Sequence, residues 1–230
     1  MAGGTLHLRP HAEVAERVLL PGDPGRALRL AQRLLDVPKM LNHHRGLWGY
    51  TGTAADGLPL TIQSTGMGGP SAAIVAEELV TLGARRLVRV GTCGALVQSL
   101  ELGALVIADA ALPEDGASRA LGATRPLPAD PELLAGLQSA GGTTGLVVSA
   151  DLFYDPDRDR QARWTAAGAI AVEMEAAVLL AVAARHGIAA ACVLVVSDLL
   201  YGDRRRTIEP EALERAEVEL GRAGAAAVGA

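Results

Sequence analysis

Arg89 interrupts the apolar run Leu87-Val88-Arg89-Val90 just before Gly91-Thr92-Cys93-Gly94, which reads as a turn. A charge inside a buried strand is costly unless it meets a carboxylate or an anionic ligand, so Arg89 needs a partner of opposite sign. Thr92 places a hydroxyl and a backbone N–H beside it, where a phosphate oxygen could sit. A second anion-friendly stretch is Leu20-Pro21-Gly22-Asp23-Pro24-Gly25-Arg26, a short apolar run turning into a helix. Such a turn presents amide N–H groups at a helix N-terminus, and Arg26 adds charge on the first turn. A structural ion pair at Arg89 and an ordinary βα turn at Arg26 are the alternatives.

Carboxylates supply the complementary chemistry. Glu173 and Glu175 flank Met174 where an apolar run ends, and alternate residues of an extended chain share a face. A carboxylate accepting from two adjacent hydroxyls suits a ribose diol. Metal binding is the rival use, but no His, Cys or Asp completes a ligand set at suitable spacing, so no metal site is expected. Asp198 ends the apolar run 193–196. Desolvation raises a carboxyl pKa, which fits Asp198 to hold a proton for a leaving group; capping the next helix is its other possible role. The glycine-rich segment 64–71 partly matches a dinucleotide fingerprint, yet Ser71 replaces the third glycine and no acid follows the next strand to hold a ribose.

These residues stand at the ends of short apolar runs. Strands are expected over 17–20, 46–53, 60–64, 87–91, 105–110, 145–149, 169–172 and 190–196, and helices over 25–35, 70–82, 131–139, 157–166, 175–186 and 210–223. Strand and helix alternate almost throughout, as in βαβ units, while Asp56-Gly57 marks an antiparallel hairpin. The expectation is an α/β fold, a mixed sheet flanked by helices, with one domain over 1–230. The Pro- and Gly-rich segment 112–130 reads as a surface excursion. Ligands of open α/β sheets bind beyond the carboxyl ends of strands, where the residues above lie.

Composition narrows the function. A net charge of −5 argues against a general nucleic-acid binder, which usually carries a basic face. No apolar run is long enough for a membrane span and no secretory leader opens the chain, so a soluble cytoplasmic protein is expected. Cys93 and Cys192 read as reduced core thiols. An anion site, a diol-binding carboxylate and an acid together suit one reaction: phosphate attack on the anomeric carbon of a nucleoside while the base is protonated as it leaves.

At this point the chain resembles the nucleoside phosphorylases of the trimer-of-dimers type, on its purine branch. The resemblance rests on PGDPGRA at 21–27, RGLWGYTG at 45–52, STGMGGPSAAIVAEEL at 64–79, RVGTCGAL at 89–96, SADLFYDP at 149–156 and VEMEA at 172–176. It implies a nucleoside phosphorylase-like three-layer fold and phosphorolysis of purine (deoxy)ribonucleosides without a cofactor. It further implies phosphate binding by Gly22, Arg26, Arg89 and Thr92, with Arg45 reaching in from a neighbouring subunit. His7 of that neighbour would touch the ribose, Phe153 would stack on the base, and Glu173, Met174 and Glu175 would line the sugar. Asp198 would be the acid, and the implied assembly is a hexameric homo-oligomer built as a trimer of dimers.

Uridine-specific relatives carry a Gln and an Arg just after the SADLFY segment. Asp155-Pro156-Asp157-Arg158 offers no Gln there, which favours purines, although Arg158 and Gln161 are close. The purine branch often adds an arginine that assists the acid. Arg204, Arg205 and Arg206 are nearby, but their spacing from Asp198 assigns that role to none of them. The competing readings are a uridine phosphorylase, a nucleosidase using water instead of phosphate, which would not need the arginine set, and a non-catalytic binding module, which would not need the acid.

Overall fold

The apolar runs form the strands of one mixed sheet in the computed structural model, which describes residues 4–202 and 204–229. β1 (Arg17–Leu20) leads through Pro21 and Gly22 into α1 (Pro24–Leu34). β2 (Asp36–Asn42), a 3-10 turn (His44–Gly46), β3 (Gly49–Thr53), β4 (Pro59–Gln63) and α2 (Gly69–Thr81) follow. Next come β5 (Arg86–Ala95), β6 (Leu105–Glu114), α3 (Gly116–Ala120), β7 (Leu127–Pro128), α4 (Pro131–Ser139) and β8 (Thr143–Ala150). The order ends with α5 (Arg160–Ala166), β9 (Ala171–Glu173), α6 (Ala176–His186), β10 (Ala189–Leu199), β11 (Arg206–Thr207) and α7 (Pro210–Gly229).

Along the sheet the strands run β11-β10-β6-β8-β9-β5-β1-β4-β3-β2, with β7 paired to β6. β10 also pairs in parallel with β5, so β5, β10, β6, β8 and β9 close into a ring. The expected hairpin is present: β3 and β4 are antiparallel, and Gly57 takes the positive φ of 80° that the turn requires. Helices cover both faces. One core cluster joins Val75 and Leu79 of α2 to Leu180 and Val182 of α6, and the other joins Leu30 of α1 and Leu133 of α4 to Leu220 of α7. Each fully buried Leu contributes about 1.5–3 kcal/mol.

Four expectations need correction. Residues 91–94 are strand, not turn, because β5 continues to Ala95 between β10 and β9 (Cys93↔Val196, Gly94↔Val172). The strand expected from residue 46 starts at Gly49, since Arg45 and Gly46 both have positive φ, 59° and 72°. The surface excursion expected over 112–130 starts later, because β6 runs to Glu114, and Asp115 and Ser118 are buried at the start of α3, while 119–128 is mostly exposed. β2 was not expected: its first five residues are exposed and include Pro38, features that an edge strand tolerates.

Candidate active site

A cavity of about 670 Å³ opens at the carboxyl ends of β5, β8, β9 and β10, beside the turn that follows β1. Nine of the expected residues line it: Gly22, Arg26, Arg89, Thr92, Phe153, Glu173, Met174, Glu175 and Asp198. Arg45 and His7 do not.

Arg89, on β5, is 5% exposed. Its Nε donates to Glu173 Oε2 at 2.8 Å and its Nη2 donates to Glu175 Oε2. Glu173 also accepts from the Ser149 hydroxyl and from the amides of Glu175 (2.8 Å) and Ala176 (2.9 Å). Its lone pairs are thus committed to scaffolding. Glu175 stands at the start of α6 and takes the Gly68 amide at 2.5 Å. Burial pushes the Glu175 carboxyl up; Arg89 opposes that shift, Glu173 adds to it, and the net direction is upward. Arg89 moves up as well, because the two carboxylates outweigh its desolvation. Its Nη1 is buried and has no hydrogen-bond partner among the described residues. A Cβ placed on Gly22 would stand 4.0 Å from that nitrogen and 3.2 Å from the Gly66 carbonyl oxygen, so a bare backbone faces the unpartnered donor.

The start of α1 is not the open amide nest expected from the sequence. Asp23 caps it, accepting from Gly25 N at 3.1 Å and Arg26 N at 2.8 Å, and Pro24 has no N–H. Arg26 therefore supplies the positive charge at this wall, held through Nε by Glu217 at 2.7 Å.

Asp198 owes its position to a bulge. Between Val196 and Asp198 the register against β5 slips by one residue, so Ser197 is extra and the acid is re-aimed into the cavity. Asp198 Oδ1 accepts from Arg205 Nε at 2.7 Å and Thr207 Oγ1 at 3.2 Å, and Oδ2 accepts from Ser197 Oγ at 2.8 Å. Burial pushes this carboxyl up, but the three hydrogen bonds and the Arg205 charge outweigh it and hold Asp198 below the usual carboxylate range. That reverses the direction expected from the sequence. Arg205 also lies over the Phe153 ring, its Cζ 4.4 Å from the centroid. The arginine beside the acid, which spacing could not assign, is Arg205.

Phe153 is 50% exposed on the loop after β8. Arg160 ties that loop, pairing with Asp155 at 2.6 Å and donating to the Leu152 carbonyl at 2.8 Å. Gln161 lines the cavity.

Arg45 and His7 sit elsewhere. Arg45 is exposed at the tip of its turn, which Asn42 Nδ2 and Gln63 Nε2 pin through the Leu47 carbonyl at 2.5 and 3.0 Å. His7 Nδ1 meets Glu78 Oε1 at 2.7 Å, and Glu78 also accepts from the amides of Leu6, His7 and Leu8. This N-terminal segment is fastened rather than a solvated tail. Cys93 and Cys192 are buried free thiols, as expected, and burial pushes both up. Among the described residues no group of three or more His, Cys, Asp or Glu could hold a metal, and no helix is long and apolar enough to cross a membrane.

Comparison with known proteins places these motifs in a wider set. Residues 16–229 match the phosphorylase superfamily. A protein of Clostridium novyi named purine nucleoside phosphorylase DeoD-type is 37% identical over 204 residues, covering 85% of this chain and 87% of the relative. Its namesake in Geobacillus kaustophilus is 38% identical over 206 residues, covering 86% of each chain. Among solved structures, a uridine phosphorylase from Vibrio fischeri complexed with 6-hydroxy-1-naphthoic acid superposes with a TM-score of 0.82 at 28% identity. It covers 94% of this chain and 90% of that one.

Proposed function

The chain belongs to the phosphorylase superfamily, and from that premise we propose that it is a purine nucleoside phosphorylase, cleaving purine (deoxy)ribonucleosides with inorganic phosphate to free base and (deoxy)ribose 1-phosphate. The observation that carries this reading is the buried, unpartnered Nη1 of Arg89 beside the bare backbone of Gly22. A donor of this kind is matched by an anionic acceptor. Thr92 adds a hydroxyl and Arg26 a second cation on the same cavity wall. The relatives named as purine nucleoside phosphorylases favour a purine over the pyrimidine of the structural neighbour.

In the proposed reaction a phosphate oxygen attacks C1′ as the C1′–N9 bond breaks, and the bond's electron pair passes to the base. Glu175 and Met174 face the sugar, while Glu173 serves mainly to hold Arg89 and the start of α6. Asp198 delivers a proton to the departing purine. Because Asp198 is held charged by Arg205, the purine must change its surroundings first: a ring stacking on Phe153 competes with Arg205 for that face and shields the carboxyl from water, and both effects raise its pKa. Phosphate is a co-substrate, and no step requires a metal or another cofactor.

The proposal extends to assembly. Arg45 and His7 do not line the cavity of their own chain, and Leu6 beside His7 and Trp48 after the Arg45 turn are exposed apolar side chains, as are Val37 and Met40 on β2. A two-fold partner lending Arg45 and His7 would complete each site and cover these side chains, in a homo-oligomer that the family resemblance extends to a hexamer. One phosphorylase domain over 1–230 and a cytoplasmic location belong to the same reading.

The test is base release from inosine, adenosine, guanosine and uridine, each with and without phosphate. Purines should react only with phosphate and yield the sugar 1-phosphate. Uridine should react weakly, because Arg160, although it lines the cavity beside Gln161, is held by Asp155 and the loop carbonyls. A preference for uridine would reassign the base site.

A further inference from the structure

Glu217 belongs to none of the motifs above. It lies on the buried stripe of α7 with Leu220, Gly221 and Gly224, and is 3% exposed. An acid on such a stripe is costly unless both oxygens are satisfied by partners that also belong inside. Both are satisfied here. Oε1 accepts from Arg26 Nε at 2.7 Å and Oε2 accepts from Arg29 Nη2 at 2.6 Å. Gly221 allows the approach, since a Cβ there would stand 2.4 Å from Leu30 Cδ2 on α1.

The consequence falls on Arg26. A guanidinium offers an Nε edge and two terminal nitrogens, and with Nε committed to Glu217 only the terminal nitrogens are free to turn toward the cavity that Arg26 lines. A loose arginine loses rotamer freedom when a ligand fixes it. Here the fold has fixed it beforehand, through a contact spanning 191 positions of sequence. Arg29 satisfies the second oxygen, so Glu217 is neutralised without drawing more than one edge of Arg26.

We propose that Glu217 is a positioning residue for the attacking phosphate, touching no substrate itself but holding Arg26 in the orientation that receives the anion. This rests on the phosphorolysis reading above. The test varies inosine and phosphate in turn for the wild type, Glu217→Ala, Glu217→Gln and Arg29→Ala, with thermal melts alongside. Glu217→Ala should raise the phosphate KM about tenfold or more, as expected for loss of a charge-assisted contact. Its inosine KM at saturating phosphate should stay within about twofold. Glu217→Gln keeps one acceptor for Arg26 Nε and should raise the phosphate KM by less. Arg29→Ala leaves the second oxygen of Glu217 to draw on Arg26 and should also raise the phosphate KM, by less than Glu217→Ala.

A phosphate KM that moves in neither Glu217 variant overturns the proposal, as does a fall in kcat alone that tracks a lower melting temperature. Where Glu217→Ala does not fold, Glu217→Gln decides: a raised phosphate KM supports the role and an unchanged one removes it. A wild type that releases base without phosphate sinks the phosphorolysis reading itself. A phosphate-dependent wild type with unmoved Glu217 variants sinks only the role of Glu217.

Discussion

At one end of the cavity Arg89 sits on a strand with Glu173 and Glu175 closed around it, whereas at the other Phe153 is half-exposed on a loop and Asp198 is held by Arg205 from another. The first end is fixed by backbone: strand pairing on both sides of β5, and carboxylates locked by the amides of Gly68, Glu175 and Ala176. The second is fixed by side chains, Arg160 on the loop carbonyls and Arg205 on the acid. The contrast matches what each end must do in the proposed reaction. Phosphate never varies, so a rigid preorganised cradle can serve it. The base must enter, stack and change the protonation of Asp198, which requires parts that can be displaced.

That contrast can be broken from either end. The largest effect is expected for Asp198→Asn, which keeps the geometry but removes the proton. Adenosine cleavage should fall by about 10²–10⁴, the usual worth of a positioned general acid. Guanosine should lose far less, because an amide can still donate to a 6-oxo group. Equal losses on the two substrates, measured as kcat/KM, would make Asp198 a structural residue.

Arg89→Ala attacks the rigid end. Phosphate use should weaken by about 10–100-fold. Unlike Asp198→Asn, it should also lower unfolding stability, by about 3–5 kcal/mol in denaturant titrations, because two buried carboxylates lose their counter-charge. An unchanged phosphate dependence would take Arg89 out of the site. Co-refolding Arg89→Ala with Arg45→Ala sharpens the result: random two-fold pairing leaves about a quarter of sites with both arginines. Hetero-oligomers with no gain over the separate variants would show that Arg45 does not act across an interface.

The smallest effect concerns pH. Arg205 holds Asp198 below the usual carboxylate range, so Arg205→Ala should raise the Asp198 pKa. A general acid works while protonated, and activity falls as pH rises through its pKa. The descending limb of kcat/KM for adenosine should therefore shift to higher pH in the variant. A limb that stays in place would mean that Arg205 does not control the acid.

The rigid end was the more legible in the sequence. Arg89 betrays itself as a charge in an apolar run, and Glu173 and Glu175 fall at a strand end, where periodicity alone locates them. Their contact with each other was not legible, since it depends on β9 folding back beside β5, a pairing of residues far apart in the chain. The direction of the Asp198 shift was misjudged because desolvation can be read from neighbours in sequence, whereas Arg205 and Thr207 return to the acid through β11. Glu217 did leave a signal, an acid spaced three and four residues before Leu220 and Gly221 on an apolar stripe. Its partners could not be read, because α1 lies at the opposite end of the sequence.

In the proposed reaction phosphate, not water, attacks the sugar. Running the reaction on inosine with phosphate in ¹⁸O-enriched water and weighing the sugar products tests it most directly. Phosphorolysis should give ribose 1-phosphate without the heavy isotope at C1′, because that oxygen comes from phosphate. Free ribose carrying ¹⁸O, formed at the rate of base release, would contradict it and make the protein a hydrolase.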